Sequence, residues 1–457
     1  MLTKEYINEL KIKGNGALLK AISEFTDSGT LASLLEKLGY LPKDFDGNLL
    51  IPLLNHESHQ IRLGAVKNIG KLEDIKYIQI LSKIARQDTD SMVRREAVSS
   101  IGRMRHPQNK SILIEMLNDL DPKIVLQAIR GLLVFKNDKV VENSLKQLYK
   151  HPNEMVQTVI RKEFFTQSTN KTGQPHTKTY EFLKNVVVNG DVRDVLKIVP
   201  DESIHLTFTS PPYYNARDYS IYQSYQEYLQ FLDKVFREVY RVTKEGRFFV
   251  LNTSPIIIPR VSRQHSSKRY PIPFDIHAFL VNMGWEFIDD IIWLKPETSV
   301  KNRNAGFLQH RKPLGYKSNP VTEYLMVYRK KTEKLIDWNI RQYDWEVVKK
   351  SKVMEEYETS NVWKIDPTFN KVHTAVFPLE LCNRVIKFYS FKGDLVFDPF
   401  AGSGTLGKAA RKLERLFFLT EQDEKYFELI RNDLSNKTIF SDKEPKFFTL
   451  EQFKKII

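Results

Sequence analysis

Cysteine is nearly absent from this sequence: one residue, Cys382, in 457. A single thiol excludes an intramolecular disulfide, which fits a reducing compartment. Long hydrophobic runs are missing too. No stretch of 18 apolar residues occurs, so no membrane-spanning helix and no membrane partner are expected. The opening MLTKEYINELKIKGNG has no apolar segment of the kind that directs secretion, and the expected location is the cytoplasm. The histidines His265, His277, His310 and His373 are scattered, without the Cys/His spacing of a metal site, so no metal is expected. No glycine-rich loop ends in Gly-Lys-Ser/Thr, which removes P-loop phosphoryl transfer, and no endonuclease-like carboxylate cluster stands out. Acid is scarce relative to base, leaving a formal charge of +14. An excess of that size points to a polyanionic partner, nucleic acid ahead of a membrane surface. At 41% hydrophobic residues the chain can fill packed cores, and its length suits two or three domains.

What is present begins with a repeat. IRLGAVKNIGKL from Ile61, VRREAVSSIGRM from Val93 and IVLQAIRGLLVF from Ile124 superimpose, and MVQTVIRKEFF from Met155 is a weaker fourth copy. Ala65, Ala97, Ala128 and Val159 mark the same position in each, and another apolar-periodic stretch precedes every copy. A helical hairpin repeated with a small residue at each approach predicts a short α-solenoid, in which each unit hides its apolar face on the next. Over roughly residues 46–165 the pattern resembles HEAT repeats, with residues 1–45 as a helical cap. Two uses are open. One is a scaffold for protein contact. The other has Arg62, Arg94, Arg95, Lys123 and Arg130 tracking a DNA backbone. TQSTNKTGQPHT, from Thr166, is polar and aperiodic, and 166–177 reads as a linker.

From Lys178 the texture alternates strands and helices, the signature of a mostly parallel sheet covered on both faces. Strand SIHLTF runs into TSPPYYN, where two prolines stiffen the turn and leave carbonyls without competing donors. Far downstream, the strand Leu395–Phe397 leads through Asp398 into DPFAGSGT and a helix from near Thr405. Glycines let backbone approach a ligand, and a helix start offers free N–H groups. The following strand, RLFFLTE, ends in Glu421, placed as an acid that can hold ribose hydroxyls. Together these read as a nucleoside-cofactor site.

TSPPYYN followed by DPFAGSGT resembles the amino-methylating DNA methyltransferases of the permuted β group, in which the catalytic motif precedes the cofactor motif. The resemblance spans about residues 180–435, and the catalytic domain is expected over 178–440 with a tail at 441–457. It implies a Rossmann-like α/β fold and S-adenosylmethionine as cofactor. Asp191, His373, Ala375, Phe377, Asp398, Phe400, Gly402, Gly404, Thr405 and Glu421 are the implied cofactor residues. Ser210, Pro211, Pro212 and Tyr213 are the implied catalytic ones. An exocyclic amine is a poor nucleophile because its lone pair is delocalised into the ring. The Ser210 hydroxyl and Pro211 carbonyl are suited to accept its two protons and free that lone pair, while Tyr213 stacks on a base turned out of the duplex.

Carbon-5 methylation of cytosine needs a cysteine nucleophile, and Cys382 sits in the apolar helical pattern LELCNRVIKF, so that chemistry is excluded. Within the resembling family Ser-Pro-Pro-Tyr goes mostly with cytosine N4, which is the expectation here, with adenine N6 the alternative. Double-stranded DNA is the expected substrate, and the resemblance implies a cognate restriction endonuclease or another subunit as a partner open to the HEAT-like domain. Base reading is expected from 331–370, with Arg341 and Gln342 as readers. Arg260, Arg263, Lys268 and Arg269 form a basic loop suited to phosphates. The rivals are a non-catalytic DNA-binding or assembly protein and an RNA methyltransferase.

Overall fold

The computed structural model describes residues 4–24, 27–41, 45–165, 175–214, 222–258, 262, 264–265, 267–299, 313–314, 320–368, 377–435 and 444–456. The chain divides into two compact units, Met1–Thr169 and Asn170–Ile457.

The first unit is all helical. Its inner helices, His59–Lys71, Ser91–Arg103, Pro122–Leu132 and Glu154–Phe164, alternate with outer helices Ile78–Gln87, Lys110–Glu115 and Lys139–Lys146. Asp90, Asp121 and Asn153 cap the last three inner helices by accepting from backbone N–H groups in the first turn. Those caps set the repeat register, and the fourth copy differs from its sequence alignment by one residue. Ile160, not Val159, takes the fully buried place held by Ala65, Ala97 and Ala128. The extra bulk is accommodated because no further copy stacks on it among the described residues.

Neighbouring inner helices meet through residues with almost no side chain. A Cβ on Gly70 would lie 2.1 Å from the Ser100 hydroxyl, and one on Gly131 would lie 2.9 Å from the Cα of Gly102. Arg62 reaches across the repeat, donating from Nε and Nη2 to Asp88 at 2.8 and 2.9 Å and from Nη1 to the carbonyls of His56 and Glu57. Arg94 occupies the same place one repeat on, donating to the Asp88 carbonyl and lying 3.9 Å from Asp119. Both guanidiniums are therefore staples between repeats, and the reading that they track DNA is corrected.

The second unit is a nine-stranded sheet. Its strands are β1 (Val186–Asn189), β2 (Ile204–Thr209), β3 (Thr243–Thr253), β6 (Trp285–Leu294), β7 (Thr322–Lys330), β8 (Val362–Lys364), β9 (Leu395–Asp398), β10 (Leu416–Glu421) and β11 (Lys446–Thr449), while β4 (Ile256–Ile258) and β5 (Lys268–Tyr270) form a separate hairpin. The spatial order is β11-β1-β10-β9-β2-β3-β7-β6-β8. β7 runs antiparallel to both its neighbours and all other pairs are parallel. The near-continuous apolar strands are explained by cover on both faces. Helices Tyr225–Val242 and Ile272–Met283 pack on one face, and helices Leu379–Tyr389, Thr405–Lys412 and Glu424–Ser435 on the other.

Two expectations change. The expected tail at 441–457 supplies edge strand β11, paired along β1, and a capped helix Leu450–Lys454. Phe453 is fully buried at 5.8 Å from the Phe418 ring, so apolar burial holds this segment in the domain. The 331–370 segment, expected to read bases, is built into the sheet, since its strand β8 pairs beside β6.

Packing at the glycine contacts gives a direct test. Gly131→Ala places its methyl 2.9 Å from both Gly102 Cα and a Leu113 methyl. It is expected to destabilise the solenoid by about 1–3 kcal/mol, seen as a lower urea midpoint for loss of helical signal.

Candidate functional site

Four adjacent parallel strands, β1, β10, β9 and β2, end on one edge of the sheet, and each delivers a polar residue there: Asp191 just after β1, Glu421 at the end of β10, Asp398 at the end of β9, and Ser210 just after β2. The helix after β9 packs on one face of the sheet and the helix after β2 on the other. Chain connections diverge at that point, which leaves the crevice where open α/β sheets bind ligands. Here it is a cavity of about 610 Å³.

Ser210, Pro211, Pro212 and Tyr213 line one side of this cavity, and Asp191, Phe377, Phe400, Gly402, Thr405 and Glu421 line the rest. Residues separated by nearly the whole domain in sequence are thus brought together. Asp398 and Gly404 do not reach the cavity and shape its floor instead. Gly404 has φ +71° and starts helix Thr405–Lys412, and a side chain there would press to 3.0 Å from Ile430. His373 and Ala375 lie outside the described residues, as do Arg260 and Arg263.

Asp398 is a hub. Its Oδ1 accepts from the Thr209 hydroxyl at 2.6 Å and from the Phe400 N–H at 3.0 Å. The first bond ties the end of β2 to the end of β9 directly beneath Ser210. Sequence reading passed over Thr209, although a hydroxyl at the end of an otherwise apolar strand was the signal. Glu421 accepts from the Gly402 N–H at 2.8 Å and from the Asp423 N–H at 2.9 Å, so the acid also shapes the glycine loop. Burial pushes the Asp398 carboxyl up to about 7, against the pull of its two hydrogen bonds. Burial does the same to Glu421, also to about 7, with the nearby Asp398 charge adding to the rise. Asp191 differs. Burial raises it, but the Arg193 guanidinium, 2.6 Å away, and the Arg193 N–H outweigh this and hold it below its ordinary value.

An aromatic layer surrounds these groups. Arg193 also lies over the Phe231 ring at 5.2 Å, Phe231 lies 6.0 Å from Phe400, and Phe208 stacks on Phe377 at 4.6 Å. Sequence reading missed Arg193 and Phe231, because they lie outside both motifs. Tyr213 donates to Glu323 at 3.4 Å, and Lys295 pairs with the same carboxylate. Tyr214 packs on Tyr270 at 4.9 Å, which seats the β4–β5 hairpin beside the catalytic turn and leaves Lys268 and Arg269 exposed on it.

Arg341 and Gln342 are elsewhere. Their neighbour Tyr343 hydrogen-bonds Asp394 at the start of β9, and Asn339 donates to the Gly246 carbonyl near the start of β3. Both anchors are on the edge where strands begin, opposite the cavity, so these two residues are not at the site. The physical reason is a cluster of buried Arg247, Asp394 and His205, joined by half-buried Tyr343, that holds the segment there. Cys382 is fully buried and absent from the cavity lining, and burial pushes its thiol well up.

The two raised carboxyls carry a pH dependence. They hold protons in the folded chain that the unfolded chain has released above its ordinary carboxyl values of 3.8 and 4.5. Their contribution to stability is complete at acid pH and is lost as pH rises through about 7. In Asp398→Asn this penalty is removed at one position. Without added cofactor, calorimetry is expected to show the melting temperature of the variant, relative to the unaltered protein, rising between pH 5 and pH 8. An equal difference at both pH values would show that Asp398 does not titrate in that window.

Comparison with known proteins places this geometry. A family model described as DNA methylase matches residues 204–432, and one described as HEAT repeats matches 47–133. The orphan methyltransferase M.BamHII of Bacillus amyloliquefaciens is 30% identical over 272 residues, covering 56% of this chain and 97% of that protein. The Type II beta methyltransferase M.BslI of Bacillus sp. (strain NEB-606) is 29% identical over 258 residues, 54% of this chain and 27% of that protein. The Type II methyltransferase M.MwoI of Methanothermobacter wolfeii is 28% identical, over 56% and 36%. The chain thus spans only about a third of the length of these last two curated relatives. Among solved structures, the PvuII cytosine-N4-specific DNA methyltransferase is similar at 19% identity and a TM-score of 0.41, over 62% of this chain and 93% of that one. With the methylase model spanning half of its residues, and a relative of 30% identity matched along nearly its full length, the chain belongs to the N6/N4 DNA methylase family.

Proposed function

We propose that this chain transfers a methyl group from S-adenosylmethionine to the exocyclic N4 amine of a cytosine turned out of duplex DNA, in a restriction-modification setting. One observation carries the reading: the Ser-Pro-Pro-Tyr turn and the glycine loop at Gly402, with Glu421 beside it, open into the same cavity. One wall has acceptors suited to an amine, and the other has a glycine loop and an acid suited to a nucleoside.

The residues fit such a cofactor. Asp191, Glu227, Glu421 and Asp423 outnumber Arg193 and Lys234 around the cavity, which favours a cationic ligand, and Phe377 and Phe400 offer apolar walls. When bound, S-adenosylmethionine supplies an electrophilic methyl on a sulfonium. The protein's own part is to prepare the nucleophile. The Ser210 hydroxyl and the Pro211 carbonyl accept hydrogen bonds from the two amine N–H groups and turn the nitrogen lone pair out of ring conjugation. As the N–CH3 bond forms and the S–CH3 bond breaks, one amine proton leaves to solvent. Two consecutive prolines hold these acceptors in place before the base arrives, so little reorganisation remains at the reacting moment. Tyr213 stacks on the extruded base, and its hydroxyl contact with Glu323 orients the ring. Lys268 and Arg269, on the hairpin beside the turn, meet phosphates. The choice of cytosine N4 rests on Ser210 leading the tetrapeptide.

Incubating duplex DNA with methyl-labelled cofactor, then digesting to nucleosides for mass spectrometry, is expected to give labelled N4-methylcytosine. A label on N6-methyladenine would reassign the target atom. Transfer to single-stranded RNA in preference to duplex DNA would overturn the substrate. Ser210→Ala is expected to lower the single-turnover rate by about 10²–10³-fold, as for loss of one preorganised hydrogen-bonding group. Cofactor affinity by calorimetry should stay unchanged.

A further inference from the structure

With Arg62 and Arg94 held inside the stack, a different set of cations is left on the solenoid. The caps fix the register, and in that register Lys67, Ser99, Arg130 and Lys162 occupy equivalent positions on the four inner helices. Lys67, Arg130 and Lys162 are exposed, and none of the three is in an ion pair among the described residues. Half-buried Arg95 stands one turn before Ser99 on the same helix face and fills the gap in the row; it too has no ion pair among the described residues. Lys123 lies two turns before Arg130, exposed and likewise without an ion pair among the described residues. The acids of these helices are engaged or off the row: Glu96 pairs with Arg103, Glu163 with Lys136, and Glu154 sits at the start of its helix.

Small-residue contacts bring the first three inner helices close, and packed helices set a step of about 8–10 Å along the row. Three steps span about 27 Å, close to eight base pairs at 3.4 Å each. On the first two inner helices the staples Arg62 and Arg94 are paired within the stack, whereas the free cations run over all four.

We propose that Lys67, Arg95, Arg130 and Lys162, with Lys123 beside them, form a phosphate-binding track for the backbone of duplex DNA, independent of base sequence. This rests on the nucleic-acid substrate proposed above. The track adds affinity and no base reading, because it reaches phosphates alone.

The test uses the full chain and a labelled duplex without base-specific requirements, with affinity followed from low to high salt. Lys67→Gln, Arg130→Gln and Lys162→Gln together are compared with a control triple, Lys83→Gln, Lys139→Gln and Lys150→Gln. The control residues are exposed, lie off the inner helices and remove the same charge. The track triple is expected to flatten the slope of log affinity against log salt by about 0.9 per lost phosphate contact, up to about 2.7. The control triple should leave the slope near that of the unaltered protein. Equal slopes in the two triples would overturn the track while leaving the substrate reading intact. Absence of duplex binding by the unaltered chain would overturn both. Retained duplex affinity with loss of binding to an acidic protein partner would reassign the row to protein docking.

Discussion

The catalytic unit depends on a constraint at the ends of two neighbouring strands. β2 and β9 come from opposite ends of the domain sequence, and the Thr209–Asp398 hydrogen bond joins them at the level where both motifs begin. The turn carrying Ser210 therefore cannot move without moving the loop that carries Gly402. Asp398 also accepts from Phe400, so one carboxyl oxygen sets the position of both walls. Its burial disfavours the charged form, which is why its carboxyl is pushed up to about 7. The geometry of the cavity is maintained at the expense of local electrostatic comfort.

Much of this was legible from the residues in order. The strand–turn–glycine motifs carry their own local physics: prolines that cannot donate, glycines with positive φ, an acid ending a strand. Those features predict where backbone is stiff or open without knowledge of the fold. The repeat was legible for a similar reason, since its small residues recur at a fixed spacing. What remained hidden was long-range. Nothing local to Thr209 says that its partner is Asp398, and nothing local to Arg62 says that its charge is answered by Asp88. Arg341 and Gln342 have the right chemistry for base edges and the wrong position, because the buried cluster around Asp394 fixes their segment on the far edge. Charged residues are where sequence reading is weakest: burial and pairing decide their role, and both are properties of the fold.

The solenoid illustrates the same division at larger scale. The inner helices carry cations of two kinds that sequence cannot separate. Arg62 and Arg94 are answered by carboxylates and backbone carbonyls of the adjoining turns, whereas Lys67, Arg130 and Lys162 face water. Carboxylates and carbonyls at the turns between helices decide which cations turn inward, and so shape the electrostatic surface of this unit.

The pairing of β1 has a consequence for synthesis. β1 is the first strand of its sheet to leave the ribosome, yet its two neighbours, β10 and β11, are the last strands to be made. Its side chain Asn189 waits for a partner 232 residues downstream. At about 5–20 residues per second that delay is roughly 12–45 seconds, during which a strand of three consecutive valines has both edges unsatisfied. Such a segment is a template for pairing with other chains. The order of the motifs along this polypeptide therefore sets a window of vulnerability during translation, and the finished sheet keeps no trace of it.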